Sequence, residues 1–238
     1  MDTGRRWALE TFGQYGPRIR DEIADMVVSE HEASLDAQEA SGHRSQSVYG
    51  EYWRGILERF ETFGDLPGAS LVRPGDAPYK LAVVNGVVLF PWRFAKGRDA
   101  QLETTPFGTS DTRYAMTRLR QRPVQDALIE VDETGLTEEE QAFVSALRTV
   151  VSDPVVGGAR LVLVAIASSP RGLFGIDWGG VQLDHGGHLD WDGFHESLLP
   201  LGRTALAAVS STGSFTAGTM PARFPATERT ETGLAHDE

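Results

Sequence analysis

The run RLVLVAIA, Arg160 to Ala167, places no polar residue between its apolar ones. Neither face of such a strand can look at water, so it reads as a central strand buried on both sides. A chain that carries it must cover its sheet from both faces. A second strong signal lies upstream. YKLAVVNGVVLFPWRF holds Asn85-Gly86 between two β-rich runs. Asn and Gly both tolerate positive φ, so this pair predicts a tight hairpin. Its flanks are apolar on both faces, which predicts a largely buried hairpin.

The N-terminal region has a different period. From Pro17, Ile19, Ile23, Met26 and Val27 recur at helical spacing, and Gly42 is placed to end that helix. Ser45 to Phe63 reads as a second helix, with Val48, Tyr52, Ile56, Phe60 and Phe63 as one stripe. Ser110 or Asp111 opens a further helix that Pro123 stops. Ala127 to Val131 is a short strand candidate. Thr137 with Glu140 forms a capping box ahead of the helix TEEEQAFVSALRTVV. Leu173 to Ile176 and Gly180 to Leu183 read as two strands of a meander, and Phe194 to Val209 as a closing helix. Helices first, then strands with intervening helices, predict an α+β fold. N-terminal helices pack on a small mixed or antiparallel sheet with a β-hairpin or meander. Residues 1–209 form the expected domain. Residues 210–238, rich in Ser, Thr, Gly, Ala and Pro, are the expected disordered tail.

Composition narrows the function. Cysteine is absent, which excludes disulfides, thiolate zinc sites and a cysteine nucleophile. The formal net charge of -12 argues against nucleic-acid and anionic-membrane partners. Lys80 and Lys96 are the only lysines among 22 basic residues, a skew that codon bias explains. No run approaches a spanning length, and no apolar segment follows the N-terminal arginines, so a cytoplasmic location is expected. The phosphate-cradling loop ending in Gly-Lys-Ser/Thr and the GxGxxG fingerprint are both missing. A metal-dependent nuclease of the restriction-enzyme type needs an acidic residue, one spacer and Lys. Pro78 and Phe94 stand two residues before the lysines instead.

Four candidate sites remain. The stretch DHGGHLDWDGFHE concentrates metal-ligand types. If Gly186-Gly187 makes a two-residue turn, His185 and His188 lie opposite each other and can share an ion. Asp184 or Asp190 adds an oxygen ligand, with His195 or Glu196 reaching in from the next helix. Such a set suits a divalent metal that would activate water for hydrolysis. Plain turn chemistry, with Asp192 as a helix cap, explains the same residues. The loop SSPRG after the central strand offers Ser168 or Ser169 and the anion-binding Arg171, although Ser-Pro turns are ordinary. FPWRF sets Trp92 beside Arg93, a pair of the kind that dominates binding interfaces, unless Trp92 is simply core. Arg113, Arg118, Arg120 and Arg122 form either an anion contact or a solvated helix face. The function expected from these residues is binding of a protein or small-molecule partner without catalysis. The alternative is a metal-dependent hydrolase built on the histidine stretch.

Overall fold

The computed structural model describes residues 2–108, 110–116, 135–150 and 160–199. The strand expected at Ala127 to Val131, the tail from Ser210, and Arg118, Arg120 and Arg122 lie outside the described residues.

The expected α+β architecture is present. Helix α1 spans Thr3–Phe12, and the Asp2 side chain caps it by accepting the Arg5 N–H at 2.8 Å. Helix α2, Gly16–Ser41, has Pro17 in its first turn and ends at Gly42, whose φ of 63° is the left-handed closure glycine allows. The Ser45 to Phe63 segment is not one helix. It divides into α3, Ser47–Gly50, and α4, Tyr52–Glu61, followed by a 3-10 turn at Thr62–Asp65. Gly50 sits at the break, where its low helix propensity favours interruption. After the break the predicted stripe holds, with Tyr52, Ile56, Phe60 and Phe63 all buried; before it Tyr49 is buried and Val48 only half-buried.

Among the described residues six strands follow in sequential order: β1 Ser70–Val72, β2 Leu81–Val84, β3 Val87–Ala95, β4 Arg160–Ser169, β5 Gly172–Leu183 and β6 Leu189–Ser197. Only β3 and β4 run parallel, from Val87↔Arg160 onward; the other neighbours are antiparallel. The sheet is therefore mixed. The crossover between β3 and β4 carries α5, described over Asp111–Met116, and α6, Glu138–Val150; the helix stop expected at Pro123 lies outside the described residues. The predicted box caps α6: Glu140 N–H donates to Thr137 Oγ1 at 3.2 Å, and Thr137 N–H to Glu140 Oε2 at 2.9 Å. Asn85 and Gly86 have φ of 48° and 78°, the primed turn expected between β2 and β3.

Two expectations on the C-terminal half are corrected. Leu173–Ile176 and Gly180–Leu183 belong to one continuous strand, β5, because pairing with β4 carries through Gly179 and Gly180. Phe194 to Ser197 is strand, not helix start, and Asp192 caps nothing; the rest of the expected helix, 200–209, lies outside the described residues. Gly193, with φ of 80°, instead bulges β6 between the pairs Val181↔Trp191 and Gly179↔His195.

Alternation divides the core. On one face α1, α2 and α4 bury Ile19, Ile23, Tyr52, Ile56 and Phe60 against Leu89, Val164, Ile166 and Trp178. Trp178 meets Trp7 edge-on at 5.0 Å and stacks with Phe12 at 6.0 Å. Each pair adds about 0.5–1.5 kcal/mol beyond its buried area. On the other face, Leu102 and Phe107 of the crossover cover Val88, Phe90, Leu161, Leu163 and Ala165. Arg160–Ala167 is thus enclosed on both sides, apart from the exposed Arg160.

Candidate functional site

The ladder between β2 and β3 stops at Val83↔Val88. Beyond that pair, no strand among the described residues occupies this edge of β3. Pro91 lies in the bare stretch, where a missing N–H costs no ladder bond on the open side. An open cleft of about 350 Å³ sits here. Trp53 and Leu57 of α4 form one wall, and Ala77, Pro78 and Tyr79, just ahead of β2, form another. Phe90 to Arg93 make the floor, and Ser110, Thr112 and Arg113 close the far side.

Trp92 and Arg93 therefore share one site, as the sequence suggested. As strand neighbours they project to opposite faces. Trp92 packs on the crossover side, at 6.0 Å from Phe94 and 5.0 Å from Phe107 between ring centroids. It is half-buried, so it is both core and cleft wall. Arg93 turns to the helical side. Its Nε donates to the Ser168 carbonyl at 3.0 Å, and its guanidinium lies 5.0 Å from the centre of the Tyr49 ring. Two anchors fix its direction before any ligand arrives.

Arg113 comes from α5 and lies 5.5 Å from the Trp92 ring centre and 5.8 Å from that of Phe107. Among the described residues neither Arg93 nor Arg113 has a carboxylate within 4.0 Å. Among the described residues the cleft lining contains no Asp or Glu. In a chain of net charge -12 this is a locally positive site. Burial holds the Tyr79 phenol above its usual range, with Arg113 partly offsetting it, so Tyr79 keeps its proton near neutral pH and can donate it.

Behind Arg93 lies a buried polar group. His31 Nδ1 and the Tyr49 hydroxyl are 2.8 Å apart, and Tyr49 stacks on Tyr52 at 5.7 Å. Burial lowers the His31 pKa, opposed by Glu32 and reinforced by Arg93. Burial raises Tyr49, offset by the Ser168 hydroxyl and by Arg93. Both rings are therefore neutral at pH 7, and they serve as the rigid backing of Arg93.

The histidine stretch is a hairpin loop. The last pair of β5 and β6 is Leu183↔Leu189, so the connection runs from Asp184 to His188 and is not a two-residue turn. His185 and His188 consequently do not face each other across strands. Asp184 accepts the His188 N–H at 2.7 Å, and this bond chiefly holds its carboxyl below the usual range. His188 Nδ1 is 3.8 Å from Asp184 Oδ2. Asp190 is exposed opposite Gln182. His195 stands on β6, not on a helix, and stacks on Trp191 at 5.0 Å. Glu196 is taken by Arg20 and by Trp178 Nε1, the latter at 3.3 Å. Among the described residues no group of three or more His, Asp or Glu is placed to hold an ion. The turn chemistry accounts for this loop, whose Gly187 carbonyl accepts the N–H groups of Phe107 and Gly108 at 2.9 and 2.8 Å.

Ser169 and Arg171 lie in the β4–β5 turn, where Ser169 Oγ accepts the Arg171 N–H at 3.2 Å. That is an ordinary turn bond, and neither residue lines the cleft. Sequence reasoning missed Trp53 and Tyr79. Trp53 carried a signal, since it is a large aromatic one position off the buried stripe of its helix. Tyr79 carried none beyond its place after Pro78.

No family model, curated protein or solved structure matches the chain. Among the described residues no helix is long and apolar enough to cross a membrane.

Proposed function

We propose that this protein binds a partner of small-molecule size in the cleft beside β3 and does no chemistry on it. One observation carries the reading. Trp92 and an anchored Arg93 meet at an open, aromatic-walled cleft whose lining, among the described residues, has two guanidiniums and no carboxylate. Concave, mostly apolar sites with a few convergent polar groups are the usual form of ligand pockets. Among the described residues the lining offers no pairing of a nucleophile with a general base, which is why binding alone is proposed.

The test is a fragment screen by amide-resolved NMR on the full chain, repeated with Trp92→Ala. Fragments should shift amides of Tyr79, Trp92 and Arg93, return unchanged, and lose their effect in the folded variant. A screen whose hits all map elsewhere would sink the proposal. Because Trp92 is also core, Trp92→Leu serves as the variant if Trp92→Ala does not fold.

A further inference from the structure

Resting on that reading, we infer that the cleft takes an aromatic oxyanion: a planar ring of one or two cycles bearing a carboxylate or phosphate. Charge is the first argument. Arg93 and Arg113 both border the cleft, and neither is neutralised by a carboxylate among the described residues. Guanidinium forks match carboxylate and phosphate oxygens in pairs, and such charge-assisted bonds are the stronger kind. Arg93 gives its Nε to the Ser168 carbonyl, and among the described residues its outer nitrogens make no hydrogen bond. Among the described residues Arg113 makes ring contacts only, which leaves its fork for a ligand. Tyr79 adds a neutral donor nearby.

Shape is the second argument. Trp53, which is 37% exposed, and Tyr79 give the cleft flat apolar walls. Flat walls favour a ring over a branched chain, because stacked or edge contacts need a partner plane. Size is the third. A cleft of about 350 Å³ sits at the small end of the range of ligand pockets, roughly 300–1,000 Å³. It suits an occupant of one or two rings.

Calorimetric titration of the full chain with four probes tests this: 2-naphthoate, 2-naphthyl phosphate, the neutral 2-naphthamide, and cyclohexanecarboxylate. At least one naphthyl anion should bind, and the amide and the aliphatic acid should each bind roughly tenfold more weakly or worse. Arg113→Gln should lose a similar factor and Arg113→Lys less, with unchanged urea midpoints. Arg93→Gln serves as the second variant if Arg113→Gln fails to fold. Equal affinity for 2-naphthoate and its amide would overturn the anion inference and leave the cleft-binding proposal standing. Equal affinity for cyclohexanecarboxylate would overturn the aromatic part. Binding by none of the probes would overturn the class, and the fragment map would decide the broader proposal separately.

Discussion

The Arg93 guanidinium lies 5.0 Å from the centre of the Tyr49 ring, and this contact joins the cleft to the buried layer between helices and sheet. A cation over an aromatic face gains about 0.5–2 kcal/mol, more as the pair is desolvated. Tyr49 is 1% exposed, so the contact is sheltered. A double-mutant cycle isolates it. Arg93→Met with Tyr49→Leu should show a coupling of about 0.5–2 kcal/mol in urea unfolding. Arg93→Met with Tyr49→Phe keeps the ring in both arms and should be nearly additive. Coupling of equal size in the two cycles would mean that the hydroxyl, not the ring, senses Arg93.

His31 makes stability depend on pH in a stated direction. Its folded pKa is lowered, chiefly by burial, from an ordinary 6.5. Below that ordinary value the unfolded chain takes up a proton that the folded chain resists. The unfolded state then binds more protons, so stability falls as pH drops from about 6.5 toward the lowered folded pKa, and is full above that range. The urea midpoint of the native chain should therefore decline between pH 7.5 and 5.5. His31→Gln, which keeps a polar partner for the Tyr49 hydroxyl at 2.8 Å in the native pair, should flatten that decline. An identical slope in the variant would place the acid sensitivity elsewhere.

Asp184 should behave as a turn residue. Its carboxylate accepts the His188 N–H at 2.7 Å and so closes the β5–β6 connection. Asp184→Ala should lower the melting temperature at neutral pH, and Asp184→Asn should recover part of the loss, since an amide oxygen can accept the same bond. Addition of zinc or manganese should move the native chain and both variants alike. A native-specific rise on metal addition would restore the ion-binding reading of His185 and His188.

How far the sequence could be read follows from which signals are local. The helix cap at Thr137, the Asn85-Gly86 turn and the buried Arg160 to Ala167 strand all depend on neighbours within a few positions, and all three stand in the fold. The expected closing helix at Phe194 failed for the converse reason. Asp192 before a mixed segment imitates a helix cap, while pairing with β5, 12 residues long, decides for strand. Trp92 and Arg93 were visible as a pair. Their cleft was not, because it is assembled from α4, the lead into β2 and the start of α5, far apart in sequence. Periodicity cannot report that β2 leaves β3 after Val83↔Val88, so that among the described residues no strand covers the rest of that edge.

Gly16 tests how closely the first two helices are packed. It opens α2, and a Cβ built there would meet the Ala8 carbonyl group and lie 2.7 Å from Leu9 N, both backbone of α1. Main-chain atoms inside a helix cannot rotate aside as a side chain can, so a methyl must push the helices apart. The backbone φ of -54° at Gly16 suits any residue, so the obstruction is contact and not conformation. Gly16→Ala would gain a little from lower unfolded-state entropy, about 0.4–1 kcal/mol. The overpacking should outweigh it, for a net loss of about 1–3 kcal/mol by urea unfolding. Tyr52 and Ile23, in the core that α2 seals, should show it as shifted side-chain NMR signals. A Gly16→Ala chain as stable as the native one would mean that α1 and α2 separate freely and do not hold the helical layer in place.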